Sequence, residues 1–445
     1  MVSGDLKTPL SGWGAAAGIV ARWLDRRERL DELMAGLPAS LSGVERARCQ
    51  SLVFGVVRHA GRLEAALARL VAHPPRFPTR AVLYLAGFEL LEAASDPADS
   101  GRPARIVHHA VDQAKARTSA AEARLVNAVA RKLAAHLVTE APPAEAPAEA
   151  LAEYYSHPAW LVRRWLAQFG APATRSLLEW NQQPAPVYAR SRGQAMNSVI
   201  LPQNYRIHGL TPSFVKPTRW PHFYEILSGH WAEVETLLRA GAIYIQDPAT
   251  RVPIELLAPK PGETVLDACA APGGKSLLIA DTMTAGRLIA LDLPGERIER
   301  LTENLARVRG VNAVVAPGDI RRGAGHWLER RGLPSAYAAV LLDAPCTNTG
   351  VMRHRVDVKW RLQEGDFRQH ARQQLDLLAA ASRLVAPGGR LVYSTCSIDR
   401  EENQDVVDAF LRGEGAGFRL ETQAISLPWE AGHDGGGAFL LRSHR

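Results

Sequence analysis

Apolar residues return along this chain in two rhythms. Up to residue 137 they recur every three or four positions: Leu63, Ala66, Leu67 and Leu70 form one stripe, and Leu83, Phe88, Leu90 and Leu91 a looser one. That period belongs to helices burying one face, so residues 1–137 read as an all-α domain. The stretch TEAPPAEAPAEALAE, within 138–155, has no apolar period and is rich in Ala, Pro and Glu, the composition of a linker. Residues 156–238 are mixed. HPAWLVRRWLAQFG reads as a helix and PVYARSRG as a strand, giving a small α+β module. From 239 to 445 short apolar runs at 265–267, 288–292, 313–316, 339–343 and 390–395 alternate with segments of helical spacing, ERIERLTENLARVRG and HARQQLDLLAAASRLV. Strands alternating with helices imply a parallel sheet covered on both faces.

The 445 residues leave room for two or three such domains, and 47% hydrophobic with 22% charged residues is ordinary for a soluble globular chain. A net charge of +7 asks for an anionic partner, nucleic acid first, with a generic basic enzyme as the plain alternative. Arg22, Arg26, Arg27 and Arg29 on the first helix, and Arg46, Arg48 and Arg58 on the next stretch, read either as an RNA-facing surface or as a solvated face. Four cysteines without a close CxxC pair argue against zinc or a disulfide scaffold, so no metal is expected. The opening MVSGDLKTPLSGWG lacks a charged start followed by an apolar run, and no apolar stretch is long enough to span a bilayer. The expectation is a cytoplasmic protein without a membrane partner.

Candidate chemistry gathers where strands end. TVLD runs into ACAAPGGKS, where Pro272, Gly273 and Gly274 precede a helix starting near Ser276. Glycines admit close backbone approach, and a helix start offers free N–H donors. Asp292 closes the next strand at the distance where nucleotide folds place a ribose-binding acid. A P-loop reading, with Asp343 on magnesium, would need glycine where Cys269 stands, and G-x-G-x-x-G is absent. An adenosylmethionine site fits the spacing without a triphosphate cradle. A mere tight βα turn would explain the glycines but not Asp292.

Cys346 follows VLLDAP and Cys396 follows LVYST, both at strand ends among Pro, Thr, Ser and Asn. One reading is two small buried hydrophobes, the usual fate of free cysteine and the better one for Cys49; Cys269, inside the turn, reads as packing. The other is nucleophilic chemistry on a pyrimidine. Carbon C5 is a poor nucleophile until a thiolate adds to C6. That route needs an activated thiol, an acid for N3 and a base for the C5 proton. Asp343, Cys346 and Cys396 could supply such a set.

DACAAPGGKS, LLDAPCTNTG and YSTCSIDREEN, in this order, resemble the signatures of the NOL1/NOP2/Sun family of RNA 5-methylcytosine methyltransferases. HPAWLVRRW, NQQPAP and YIQDPAT resemble its RNA-binding segment, and DGGGAFLLR its closing strand. SLVFGVVRHAGRLEAAL and RLVNAVARKL are similar to the NusB-like domain fused to the bacterial Sun-type branch, which acts on small-subunit (16S) ribosomal RNA. The resemblance covers nearly the whole chain. It implies a multidomain fold: an all-α NusB-like domain, a small α+β RNA-binding module and an α/β Rossmann-like methyltransferase domain. It implies S-adenosyl-L-methionine as cofactor, and as partner RNA, 16S rRNA or a small-subunit assembly intermediate. By motif, Cys396 is the expected nucleophile, Cys346 the group assisting C5 proton loss, Asp343 the stabiliser of the protonated base, and Lys275 its neighbour. Cys269, Ala270, Ala271, Pro272, Gly273, Gly274 and Lys275, with Asp292, Asp319 and Asp343, are the expected cofactor contacts. Arg355, Val356 and Asp357 stand where the family has His-Pro-Asp. Two alternatives stay open: a tRNA methyltransferase of the same family, and a non-catalytic RNA-binding assembly factor, which would not need the two cysteines.

Overall fold

FPTRAVLYLAGFELLEAA is apolar on nearly every side, and a helix of that kind belongs inside. In the computed structural model, which describes residues 11–96, 98–192, 214–227 and 229–444, it is the helix Phe77–Ala94, with Ala81 to Gly87 all buried. Residues 1–10, part of the leader expectation, lie outside the described residues, as do 193–213 of the α+β module. The central helix belongs to a compact unit formed by Met1–Pro184 together with Met352–Leu362. Around it pack the helices Gly12–Arg26, Gly43–Arg58, Arg102–Arg117 and Ala120–Leu137. Three of these four starts are set by Ser11, Ser42 and Ser119, each accepting from a backbone N–H of the first turn. A Cβ on Gly55 would lie 2.0 Å from the Phe88 ring, so only glycine permits that crossing. Val356, from the distant segment, is part of the same core.

Three expectations change here. Arg27 is the left-handed residue after the first helix, with its guanidinium over the Trp23 ring, and Arg29 precedes the next helix; neither lies on the first helix. Arg58 is buried and donates to the Arg353 carbonyl at 3.3 Å, so it is no surface phosphate ligand. The stretch read as a linker contains the helix Ala148–Tyr154, because Leu151 and Ala152 find a core to enter.

The second unit, Ala185–Val351 with Gln363–Arg445, holds two sheets. The small one is antiparallel, from β1 (Val187–Ser191), β2 (Val215–Pro217), β3 (Phe223–Ile226) and β4 (Ile243–Ile245), in the order β2-β3-β1-β4. The large one contains β5 (Thr264–Ala268), β6 (Gly286–Asp292), β7 (Val311–Pro317), β8 (Tyr337–Asp343), β9 (Val385–Thr395), β10 (Phe418–Ser426) and β11 (Gly436–Ser443). Its order is β10-β11-β9-β8-β5-β6-β7, parallel from β7 to β9 and antiparallel at β11 and β10. All five expected strands are present and parallel. The antiparallel pair makes the sheet mixed, and β10, whose residues are mostly not buried, was not anticipated. Alternation along the strands feeds two cores: Leu266, Leu291, Val340 and Tyr393 point to one face, and Val265, Leu288, Leu341 and Val392 to the other. No described helix is long and apolar enough to cross a membrane.

Candidate active site

The parallel register brings the expected site residues to one edge. Ala268 pairs with Leu291 and with Leu342, and Asp343 pairs with Ser394. The residues that follow therefore leave the sheet side by side: Cys269 after β5, Asp292 closing β6, Asp343 and Cys346 after β8, Cys396 after β9. The chain runs from β5 to β6 and β7 on one flank, then returns to place β8 on the other. The gap between the carboxyl ends of β5 and β8 is thus a topological switch point, where open α/β sheets bind ligands.

The glycine turn spans that gap. Cys269 (φ 62°) and Gly273 (φ 106°) take left-handed conformations before the helix Gly274–Met283 begins. Ala271 N–H donates to Asp292 Oδ2 at 2.8 Å, and Ala270 N–H to the Leu291 carbonyl at 2.9 Å. Side chains far along the sequence grip its carbonyls: Gln246 Nε2 holds that of Gly274 at 3.0 Å, Asn304 Nδ2 that of Pro272 at 2.8 Å, and Arg297 that of Ala271. Gln246 is itself held by Arg190 at 2.8 Å, and Arg190 and Arg192 share Asp281 in a buried ion triad. Below the turn Asp267 is fully withdrawn from water. Burial pushes its carboxyl up to about 7, although Ser276 donates to Oδ2 at 2.5 Å. Asp267 Oδ1 is buried without a hydrogen-bond partner among the described residues, an acceptor that a cofactor donor could satisfy. Together with the close backbone approach at the glycines, this fits an adenosyl amino-acid cofactor.

The two thiols meet: Cys346 Sγ and Cys396 Sγ are 3.2 Å apart. Their loops are held by part-buried Asn348 and by a set of fully buried polar groups. Asn348, in a left-handed conformation, bonds the Cys346 carbonyl at 2.8 Å through Nδ2 while its Oδ1 accepts from Cys396 Sγ at 3.2 Å. Thr349 Oγ1 donates to Asp399 at 2.7 Å, and Asn403 Nδ2 donates to the carbonyls of Ser397 and Asp399 at 2.8 and 3.0 Å. Glu402 accepts from Thr347 N–H and Gln374 Nε2, both at 3.0 Å. The start of β11 closes on the loops so tightly that a Cβ on Gly436 would lie 2.4 Å from the Thr395 carbonyl, and one on Gly350 2.5 Å from that of Gly435.

Charge is placed deliberately around the sulfurs. Lys275 Nζ donates to Asp343 Oδ2 at 2.6 Å, and Ser394 Oγ to Oδ1 at 2.9 Å. Burial alone would lower Lys275, but the charge and hydrogen bond of Asp343 outweigh it and leave the ammonium above its ordinary range. Cys346 is pushed well above the thiol range, first by its hydrogen bond with Cys396, then by burial and by the charges at Cys396 and Glu402. Cys269 is pushed up by burial and the surrounding carboxylates, and Cys49 by burial to about 11, as suits packing residues. A pocket lined by Lys275, Asp343, Ser394 and Cys396 continues past Asp247 and Asp434.

Of the expected residues, the structure brings together the turn, Lys275, Asp292, Asp343, Cys346 and Cys396. Asp319, two positions past β7, lies on the same edge but gives its carboxylate to Arg321 at 2.8 Å. The sequence did not single out Gln246, Asp267, Asn304, Asn348, Gln374, Glu402 or Asn403. For five of them a signal existed: Gln246 lies inside YIQDPAT, Asp267 inside DACAAPGGKS, Asn348 inside LLDAPCTNTG, and Glu402 and Asn403 inside YSTCSIDREEN.

A model of the family described as 16S rRNA methyltransferase RsmB/F matches residues 254–431, and one of the NusB family matches residues 14–135. The ribosomal RNA small subunit methyltransferase B of Sodalis glossinidius is 33% identical over 417 residues, covering 93% of this chain and 92% of that protein. The probable ribosomal RNA small subunit methyltransferase B of Bacillus subtilis is 31% identical, covering 84% of this chain and 81% of its own length. In fold, the chain is similar to the crystal structure of PH0851, with TM-score 0.71 at 24% identity over 98% of this chain and 99% of that one. It is also similar to NSun6 from Pyrococcus horikoshii with SFG, with TM-score 0.53 at 19% identity over 65% of this chain and 98% of that one.

Proposed function

The chain belongs to the 16S rRNA methyltransferase RsmB/F family with a NusB domain at its amino end, and from that premise we propose that it methylates C5 of a cytosine in small-subunit ribosomal RNA through a covalent bond between Cys396 and C6. The observation that carries this reading is the pair of thiols 3.2 Å apart at the ends of neighbouring parallel strands, beside a lysine–carboxylate pair. Two thiols in contact are more than one nucleophilic step needs; they suit a reaction that must both make and release an adduct.

Cys269 to Lys275 with Asp292, Asp319 and Asp343 would hold S-adenosyl-L-methionine, which would supply an electrophilic methyl group. The protein's own residues do the rest. The target base leaves its stack to reach the pocket. Cys396 adds to C6 and turns C5 into a carbon nucleophile. As the ring gains electrons N3 takes up a proton from solvent, and the Asp343 carboxylate, fixed by Lys275 and Ser394, stabilises the protonated base. Cys346 then takes part in loss of the C5 proton. Its timing follows from its surroundings: the strongest influence holding its proton is the hydrogen bond with Cys396. Once Cys396 is bonded to carbon that restraint weakens; Cys346 gives up its proton to solvent and, as thiolate, accepts the C5 proton after methyl transfer, while the C6–S bond breaks and Cys396 leaves as thiolate. The net charge of +7 suits phosphate contacts that hold the RNA.

The test uses small-subunit rRNA and labelled cofactor. Cys396→Ala should neither transfer methyl nor trap RNA, because the covalent complex cannot form. Cys346→Ala should accumulate a protein–RNA adduct that survives denaturing electrophoresis. Trapping by the Cys396 variant alone would reverse the roles, and normal turnover by both would end covalent catalysis by these thiols. Bisulfite sequencing of the product places the methyl on cytosine or elsewhere.

A further inference from the structure

Glu402 has no part in the reaction as set out above, yet it is fully buried directly behind the Pro-Cys loop, 0% exposed. Its Oε1 accepts from the Thr347 backbone N–H and from Gln374 Nε2, both at 3.0 Å, and its Oε2 from the Thr347 hydroxyl. Burial pushes the Glu402 carboxyl up, and the hydrogen bonds from Thr347 oppose that push in favour of the carboxylate. Thr347 follows Cys346 directly, so these bonds set the Glu402 carboxyl group beside that thiol. Cys396 has a different neighbour: it lines one pocket with Lys275, whose ammonium is held by Asp343 at 2.6 Å. Two thiols in contact thus lie between a carboxyl group on the Cys346 side and a cation on the Cys396 side.

We propose that Glu402 is a positioning residue that sorts charge within the thiol pair: its carboxylate disfavours a thiolate at Cys346, so the first negative charge falls on Cys396. This rests on the covalent reading above for what the sorted thiolate is used for. Glu402 moves no proton itself; Cys396 loses one to solvent or substrate while Cys346 keeps its own and donates to the new thiolate across 3.2 Å. Other titratable groups here are Asp399, buried on the same loop and bonded by Thr349 at 2.7 Å, and Tyr393 of β9, whose hydroxyl donates to the Glu402 carbonyl at 2.6 Å and is held protonated by burial. Asp343 with Lys275 lies at the same strand ends, and the helix Glu364–Ser382 contributes neutral Gln374. The upward push on Cys346, to which Glu402 contributes, agrees with this assignment.

The experiment follows iodoacetamide labelling of the full-length protein against pH, each labelled cysteine being identified by mass spectrometry. Cys396→Ser leaves Cys346 as the thiol of the pair, and Cys346→Ser leaves Cys396. Adding Glu402→Gln to the first should lower the labelling midpoint of Cys346 by about one pH unit or more, the size of a close like-charge effect. Adding it to the second should move Cys396 much less. Glu402→Asp, which keeps the charge, should keep the two midpoints apart. Equal shifts at both thiols, no shift at Cys346 in a folded Gln variant, or merged midpoints in the Asp variant would each overturn the proposal. Labelling needs neither RNA nor cofactor, so absence of an RNA adduct would defeat the methylation reading while leaving this result standing.

Discussion

Lys275 is partly and Lys359 almost wholly withdrawn from water, but the carboxyl edge of the large sheet gives the first a carboxylate at 2.6 Å, whereas the helical unit gives the second the Arg58 carbonyl at 2.9 Å and the face of the Trp360 ring. Asp343 keeps Lys275 charged against its burial. Burial, and then the Arg58 guanidinium, push Lys359 well below the ordinary amine range. Its neighbours share that fate: burial takes His59 down to about 3 and His157 well below its usual value. A strongly shifted group is therefore no sign of chemistry by itself. The helical core neutralises lysine and histidine and uses them as packing and hydrogen-bonding groups. The sheet edge retains its charges and sets them beside sulfur.

The harshest way to break this contrast is to treat Lys275 as if it were Lys359. Lys275→Met leaves Asp343 without its cation, and methyl transfer should fall about 10²- to 10³-fold in kcat, the loss expected when one preorganised electrostatic partner is removed. Single-turnover transfer to rRNA measures it. Turnover close to wild type would mean that the edge does not depend on its ion pair.

A smaller effect is expected one strand away. Asp292 supports the turn through Ala271 at 2.8 Å and presents the acid expected to meet the ribose. Asp292→Ala should weaken adenosylmethionine binding by about 1.5–3 kcal/mol, roughly 10- to 150-fold in Kd. Calorimetry with unchanged affinity would remove Asp292 from the cofactor site, and tight ATP binding in its place would revive the P-loop reading.

What the sequence disclosed follows the same division. The five parallel strands and the glycine turn were legible because each is local: a short apolar run, ended by Asp, Cys or Gly. The roles of the supports were not, even for those inside the quoted motif blocks, because the fold brings them to their partners from afar. Gln246 reaches the Gly274 carbonyl across 28 positions, and Glu402 reaches Thr347 across 55. Nor does VDVKWR announce that it belongs with helices some three hundred residues upstream, where Trp360 Nε1 donates to the Val57 carbonyl at 2.8 Å. Arg58 shows the converse error. Helical spacing beside other arginines suggested a surface face, and only the tertiary arrangement reveals it as buried.

The mildest test sharpens the helical side. Lys359 is 2% exposed, and its folded-state pKa is depressed. In the unfolded chain the amine titrates near its ordinary value of about 10.4. Between the depressed folded value and that one, the unfolded state binds the extra proton, so stability rises with pH across this window and falls as pH drops. Lys359→Met removes that slope and also the donor to the Arg58 carbonyl, a loss of about 1 kcal/mol that does not vary with pH. The variant should therefore gain relative to wild type at neutral pH and lose that advantage as pH climbs toward about 10. His59 and His157 are present in both proteins and largely cancel in the comparison. Helix melting followed against pH in the two full-length proteins measures the difference; a Tm difference independent of pH would show that Lys359 keeps its charge in the fold, and the contrast with Lys275 would fail.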